Sequence, residues 1–292
     1  MLSLIIPALN EASGIRETLQ TAAAGLKKAG IEHEIIVVND GSSDDTARLA
    51  AECGASVITH PCPGGYGRSI KDGILKARHD LIAIADADGT YPVEKLPDLY
   101  RAVKNEGYDM AVGARRGNAY RGTFLKMPAR LIFIWLCEYA TGGKIDDINS
   151  GLRVFKKELP LQCWARISNG FSFTTTITLA ALLEGRFIKY IPADYHERKG
   201  RSHIRYLRDT MRTLQIIVED ILYYNPLKLF LLVTNVLFGI SILAFALFFL
   251  IPDSPRLSLF AGMLSVFSFC SAFLAAAIGM AADVARMAGD RK

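Results

Sequence analysis

The sequence predicts an α/β protein: a mostly parallel sheet with helices on both faces, then amphipathic interface helices and a C-terminal two-helix transmembrane hairpin. Three observations carry this expectation. Short apolar strand patterns alternate with amphipathic helix patterns through the first 115 residues, the signature of a sheet with crossover helices. The strand patterns are near-continuous Val, Ile and Leu, as in EIIVVN at 34–39, which marks strands buried on both faces. The chain has 292 residues, of which 51% are hydrophobic and 22% charged, and the apolar excess is concentrated at the C-terminal end.

Leu2–Pro7 is the first strand, and Asn10 to Lys28 reads as a helix. The second strand, Glu34–Asn39, leads into a helix opening near Ser43, with Ser43 or Asp44 as its cap. Ser56–Thr59, Leu81–Ala85 and Asp109–Gly113 continue the strand series, with helices near Tyr66–Arg78 and Val93–Asn105 between them. From Leu229 to Pro252 no charged residue appears, enough chain to cross a hydrocarbon core of ~30 Å as a helix. A second uncharged run extends from Leu257 to Ala282. The expected organisation is an α/β domain over 1–205, a juxtamembrane amphipathic helix over 206–226 and a hairpin over 227–285, with spans at about 229–251 and 257–282. Basic residues are abundant before the first span, and Arg286, Arg291 and Lys292 follow the second, whereas only Arg256 lies between. The positive-inside rule then places both termini, and the α/β domain, in the cytoplasm. Met1-Leu2-Ser3 runs straight into a strand, without a signal-peptide pattern.

Composition excludes disorder and a disulfide scaffold. The five cysteines are odd in number and far apart, with no C-x-x-C pair, so reduced thiols are expected and a zinc site is not. The five histidines form no H-E-x-x-H spacing, and the net charge of +5 is modest; a nucleic-acid partner is not expected.

Open α/β sheets bind ligands at the carboxyl ends of their strands. There the sequence has Pro7-Ala-Leu-Asn-Glu11, then Asn39-Asp-Gly-Ser-Ser-Asp-Asp-Thr46, then Asp86-Ala-Asp88-Gly-Thr-Tyr-Pro92. Residues two apart in an extended segment face the same way, so Asp86 and Asp88 converge beyond the strand end. Two such carboxylates call for a cation, and their hard oxygens suit Mg²⁺ or Mn²⁺. The Gly64-Gly65-Tyr66-Gly67 loop lacks a Gly-Lys-Ser/Thr ending and reads as a turn rather than a phosphate cradle.

The ordered set PALNE, VVNDGSSDDT, PGGYGRSIKDGI, DADGTYP and DINSGLRVF resembles the family 2 glycosyltransferases of GT-A (Rossmann-like) fold. Within them it is most similar to the dolichyl-phosphate mannose synthase and undecaprenyl-phosphate glycosyltransferase branch. The resemblance covers roughly residues 1–205. It implies that Pro7, Leu9 and Glu11 cradle the nucleotide, that Asp40 contacts base or ribose, and that Asp86 and Asp88 bind metal and diphosphate. Asn39 stands where the family has a first acidic residue, and Thr90 where some relatives carry a further Gln ligand. Arg115 and Arg130 match the arginines that hold the acceptor phosphate; Ile134 replaces a serine four residues after the second. In Arg198-Lys-Gly-Arg201-Ser-His203, the family often has Lys where His203 stands, and Arg198, Arg201 and His203 fall at the acceptor phosphate. Asp146 and Asn149 match a D-x-x-S-G segment beneath the acceptor site, with a structural role expected for Asp146.

The charge pattern agrees with a lipid acceptor. Arg115, Arg116, Arg121, Lys126 and Arg130 fall in a stretch without acidic residues, and Lys126–Tyr139 is otherwise apolar and aromatic. A second basic cluster runs from Arg198 to Arg212 into the amphipathic stretch 206–224. Basic, aromatic-flanked amphipathic helices lie in the headgroup plane. A phosphate monoester, with a second pKa of ~6, is already a nucleophilic dianion at neutral pH and needs cations to position it rather than a base. The expected activity is inverting transfer of one hexose from a nucleotide diphosphate sugar to a polyisoprenyl phosphate. A UDP-sugar is slightly favoured over GDP-mannose, and a homo-oligomer remains open. Alternatives are a transferase acting on a glycolipid or glycan hydroxyl with Asp146 or Asp147 as base, and a sugar-nucleotide-binding membrane scaffold. A sugar-1-phosphate nucleotidyltransferase would carry a Gly-rich, Lys-containing loop after the first strand, where this chain has PALNEASGI.

Overall fold

The computed structural model describes residues 1–117, 127–167, 169–170, 172–196, 206–251 and 253–289, with backbone alone described at 127–130, 206–210 and 213. The chain divides into two compact units, Met1–Ile217 and Val218–Lys292. The boundary between them falls inside the helix Tyr206–Tyr224.

In the first unit, β1 (Leu2–Ala8), α1 (Ile15–Lys28), β2 (His33–Asn39), α2 (Thr46–Glu52), β3 (Ser56–Thr59), α3 (Tyr66–Lys76), β4 (Leu81–Ile84), α4 (Leu96–Asn105) and β5 (Met110–Arg116) follow in order. They are succeeded by α5 (Met127–Thr141), β6 (Arg153–Lys156), α6 (Glu158–Gln162), α7 (Phe173–Leu183) and β7 (Ile188–Asp194). The sheet order is β3-β2-β1-β4-β6-β5-β7. Most neighbours are parallel; β6 runs antiparallel between β4 and β5. All seven residues of β1 are buried, as its unbroken apolar sequence requires of a central strand covered on both sides. Leu19, Ala22 and Leu26 of α1 and Leu96, Leu99 and Val103 of α4 pack into the same core as Leu4 and Ile6.

Two elements differ from the sequence pattern. The first helix begins at Ile15, not Asn10, because residues 10–12 are pinned to the loop after β2 and Asn10 takes a left-handed φ of 56°. The second helix is capped by neither Ser43 nor Asp44 as N-cap residue; Asp45 holds that position, while the Asp44 carboxylate accepts the Thr46 N–H at 3.0 Å. Strands β6 and β7 were not anticipated. Both are short or half-exposed and carry no long Val/Ile run.

In the second unit, α9 (Pro226–Leu250) and α10 (Pro255–Gly289) pack against each other over their length; α8 is the Tyr206–Tyr224 helix. Reciprocal bonds join them: Ser241 Oγ donates to Ser265 O and Ser265 Oγ to Ser241 O, each at 2.9 Å. Phe238 meets Phe269 and Phe273 edge-on at 5.5 and 5.6 Å. Leu243, Leu250, Phe260 and Phe267 remain exposed, large apolar side chains of the kind that mark a surface meant to be covered. Both helices are long and apolar enough to cross a membrane. The 35 residues of the second extend ~52 Å, so its last turns, with the Arg286–Asp283 pair, outrun a ~30 Å hydrocarbon layer. All five cysteines are free.

Candidate active site

Strands β1 and β4 are neighbours because the chain steps outward through β2 and β3 and returns to the other side of β1. That reversal opens a crevice at the carboxyl edge, where such sheets take ligands. The loops after β1 and β2 are stitched together there. Asn10 N–H donates to Ser42 Oγ at 2.9 Å, Ser43 N–H to Asn10 Oδ1 at 2.9 Å, and Glu11 N–H to Thr46 Oγ1 at 2.9 Å. Pro7 and Glu11 are buried and Leu9 is half-buried in this seam.

Asp40 turns beneath it. Its carboxylate accepts N–H bonds from Gly64 at 2.8 Å and Gly65 at 2.9 Å, and His60 Nδ1 lies 2.7 Å away. Burial alone raises the Asp40 pKa, but these donors outweigh it and hold the carboxyl below its ordinary value. The Gly64–Gly65 turn thus spends its amides on Asp40, and Asp40 serves first to fix that turn. The Asn39 side chain accepts the Ser42 N–H at 3.2 Å, closing the turn after β2 as an Asx residue does.

Asp86 and Asp88 follow β4. Asp88 is 5% exposed, and its Oδ1 accepts both the N–H and the hydroxyl of Thr90, at 3.0 and 2.6 Å. Thr90 therefore helps to orient Asp88. Tyr66, at the start of α3, donates its hydroxyl to Asp86 Oδ1 at 3.1 Å. Burial, with the Asp86 charge second, pushes the Tyr66 phenol well above its ordinary pKa, so it remains a donor. The donor set fits a hard divalent cation: two carboxylates beside a crevice, each already oriented by hydroxyl partners. Among the described residues no group of three His, Cys, Asp or Glu side chains could hold a metal, so such a cation would take its remaining ligands from phosphate oxygens and water.

On the same edge, Arg115 at the end of β5 forms a bidentate fork with Asp147, Nε to Oδ2 at 2.7 Å and Nη2 to Oδ1 at 2.8 Å, while its N–H donates to Oδ2 at 3.0 Å. The Arg115 guanidinium also lies over the Tyr195 ring, 5.6 Å from its centroid. Tyr195 meets Tyr91 edge-on at 5.1 Å, and Tyr91 Oη accepts the Gly151 N–H at 2.8 Å. Gly151 in turn touches Asp86: a methyl group there would stand 2.5 Å from Asp86 Oδ2. A closed chain of contacts therefore links Asp86, a candidate cation ligand, to Arg115, the candidate acceptor arginine. Its keystone is the 147–151 segment, which reaches this edge only because β6 is antiparallel.

The structural aspartate of this segment is Asp147, not Asp146. Asp146 is exposed, whereas Asp147 is buried; burial would raise its pKa, yet the Arg115 bonds and charge hold it below its ordinary value. Arg153, fully buried, fastens the segment from below. Its guanidinium donates to Ser150 O at 2.6 and 3.0 Å, Thr174 O at 3.2 Å and Thr178 Oγ1 at 2.9 Å. The side chain of Arg130 and the whole of Arg198, Arg201 and His203 lie outside the described residues. On α5, Leu131, Ile132 and Trp135 are exposed, and Trp135 stacks on Tyr139 at 5.8 Å.

Sequence reasoning did not single out Tyr66, Tyr91, Thr90 as an orienting group, Asp147 as the Arg115 partner, or Arg153. Tyr66, Tyr91 and Arg153 stand inside the quoted motifs PGGYGRSIKDGI, DADGTYP and DINSGLRVF, and that adjacency was the available signal.

A sequence profile of glycosyl transferase family 2 matches residues 3–159. The low-salt glycan biosynthesis hexosyltransferase Agl6 of Haloferax volcanii is 31% identical over 226 residues, covering 75% of this chain and 53% of that protein. The chain thus spans about half the length of that relative. The undecaprenyl-phosphate 4-deoxy-4-formamido-L-arabinose transferase of Klebsiella pneumoniae is 31% identical over 254 residues, covering 84% of this chain and 73% of its own. In fold, the glucosyl-3-phosphoglycerate synthase of Mycobacterium tuberculosis, crystallised with Mn²⁺, UDP and glucosyl-3-phosphoglycerate, superposes with a TM-score of 0.60 at 19% identity, covering 75% of this chain and 79% of that one. Carboxylates after β4 at a GT-A switch point, the interlocked β1 and β2 loops and the profile match agree: the chain belongs to glycosyl transferase family 2.

Proposed function

We propose that this chain is a membrane-anchored inverting hexosyltransferase that moves one sugar from a nucleotide diphosphate donor to a polyisoprenyl phosphate at the cytoplasmic face. The observation that supports it most is the contact chain from Asp86 through Gly151, Tyr91 and Tyr195 to Arg115, which connects a candidate cation ligand to a candidate acceptor guanidinium. The seam of Pro7, Leu9 and Glu11 receives the nucleotide, with Asp40 fixing its floor. Asp86 and Asp88 would hold Mg²⁺ or Mn²⁺, which would supply positive charge to offset that of the leaving nucleoside diphosphate. Arg115, held in orientation by Asp147, presents its guanidinium to the acceptor phosphate, and Arg130, Arg198, Arg201 and His203 are assigned to the same anion. Such positioning suffices for a nucleophile that is already ionised.

The hydroxyl-acceptor alternative needs a base, and the site argues against one. Asp147 is engaged by Arg115 and kept below its ordinary pKa, and Asp146 faces solvent. The hydrophobic hairpin and the exposed Trp135 face of α5 suit an acceptor whose tail lies in lipid. With one basic residue between the spans and several beyond both ends, the termini are assigned to the cytoplasm. A UDP-sugar is the first donor to test.

The test uses the full chain in nanodiscs with labelled sugar nucleotides and polyprenyl phosphate. Label in a mild-acid-labile lipid, lost on Asp88→Ala, is the expected result. Label in an acid-stable glycolipid, or full turnover by Asp88→Ala, overturns the reading.

A further inference from the structure

The Asp86 carboxylate is gripped by two groups that belong to neither β4 nor its loop. Tyr66 donates to Oδ1 at 3.1 Å. Gly151 offers its bare Cα: an added methyl would stand 2.5 Å from Oδ2 and 2.7 Å from Cγ and Oδ1, so the carboxylate occupies the space that any other residue fills with Cβ. Both contacts are themselves anchored. Gly151 is tied to Tyr91 through its N–H. The turn of α3 that carries Tyr66 is tied to the 169–170 segment, since Gly67 N–H donates to Gly170 O and Arg68 N–H to Asn169 O, each at 3.0 Å. Lys71 Nζ adds a bond to Asn169 Oδ1 at 3.2 Å. An aspartate at a strand end otherwise turns about its side-chain torsions. A small hard cation demands its oxygens at ~2.1 Å in near-octahedral array, so the orientation of this carboxylate decides how well it ligates.

We infer that Tyr66 is a positioning residue for the cation: its hydroxyl, with Gly151 as the opposing wall, locks the Asp86 carboxylate in the orientation that ligates the divalent ion holding the donor diphosphate. The inference rests on the reading of Asp86 and Asp88 as cation ligands. Partners of ligating carboxylates contribute about 10–100-fold to metal affinity, and Tyr66→Phe removes this one donor while keeping the ring.

The experiment titrates Mn²⁺ into the full chain in nanodiscs with saturating UDP, reading free Mn²⁺ by electron paramagnetic resonance, with no turnover required. Tyr66→Phe is expected to weaken Mn²⁺ binding about tenfold, to leave UDP binding without metal unchanged, and to keep the unfolding temperature within about 2 °C. Mn²⁺ affinity within about twofold of the parent overturns the inference. An equal loss of metal-free UDP binding, or a large fall in unfolding temperature, also overturns it by making Tyr66 merely structural. Asp88→Ala separates the layers. If that variant keeps full Mn²⁺ binding, the cation reading fails and the inference with it; if it loses Mn²⁺ while Tyr66→Phe does not, the inference alone fails.

Discussion

Replacing Asp147 with Asn preserves shape and removes one charge, which isolates the Arg115 fork. The carboxylate side chain is 2% exposed and that of Arg115 17%. Asp147 accepts the Arg115 N–H, Nε–H and Nη2–H and the Asn149 N–H. In Asp147→Asn one oxygen becomes an NH₂ that cannot accept, and a mostly buried guanidinium loses its counter-charge. Breaking a buried pair from one side costs about 3–5 kcal/mol; partial access of water to Arg115 places this case near ~3. For a unit of this size each kcal/mol moves the unfolding temperature by about 2–4 °C, so a fall of about 6–12 °C at pH 7 is expected. The pH dependence has a defined sign. The folded-state pKa of Asp147 is depressed, so its contribution is complete above the unfolded value of ~3.9 and disappears as pH falls through the folded value. The gap between parent and variant should stay level from neutral pH to about 5 and close in stronger acid. Thermal unfolding in detergent, followed by intrinsic fluorescence across that range, measures it. A shift under about 2 °C at pH 7, or a gap that widens on acidification, would refute the reasoning.

Other consequences follow from the same structure. Asp40→Asn leaves one of the Gly64, Gly65 and His60 donors facing an amide nitrogen; a loss of about 1–3 kcal/mol, with weaker UDP binding in a calorimetric titration, is expected, and unchanged UDP affinity would remove Asp40 from the donor pocket. In the hairpin, Ser241→Ala with Ser265→Ala removes two reciprocal bonds but keeps small side chains at the contact. Such bonds average about 0.6 kcal/mol within membranes, so the double variant should lose only about 1 kcal/mol in a detergent unfolding assay. Gly279→Leu should cost far more, because even a methyl there meets Phe230 Cβ at 2.5 Å.

The site combines two kinds of information that a linear reading separates. Asp86 and Asp88 were legible as the acidic loop after the fourth strand, because each strand-end loop carries its own polar signature; the structure ends β4 at Ile84 and puts Asp88 in a turn, so strand alternation does not set their relative direction. The uncharged runs were equally legible, since the thickness of a bilayer acts on one helix at a time; the helices extend beyond the expected spans at both outer ends, where charged residues can continue a helix outside the hydrocarbon. Arg115 was found in a basic stretch and through the family resemblance, but nothing in the sequence paired it with Asp147 rather than leaving it to solvent.

By itself, then, the sequence determined the parallel strands β1–β5, the acidic loops along their carboxyl ends and the hydrophobic hairpin, since each rests on local periodicity or composition. Only the tertiary structure decided that β6 enters the sheet antiparallel between β4 and β5, pairing Arg153 with both Ile84 and Val112. That reversal delivers the loop before β6 to the edge where β4 and β5 end, so Gly151 meets Asp86 and Asp147 meets Arg115. The four-residue strand carries too little pattern to reveal its direction, because the pairing energy that orients it comes from neighbours distant in the chain.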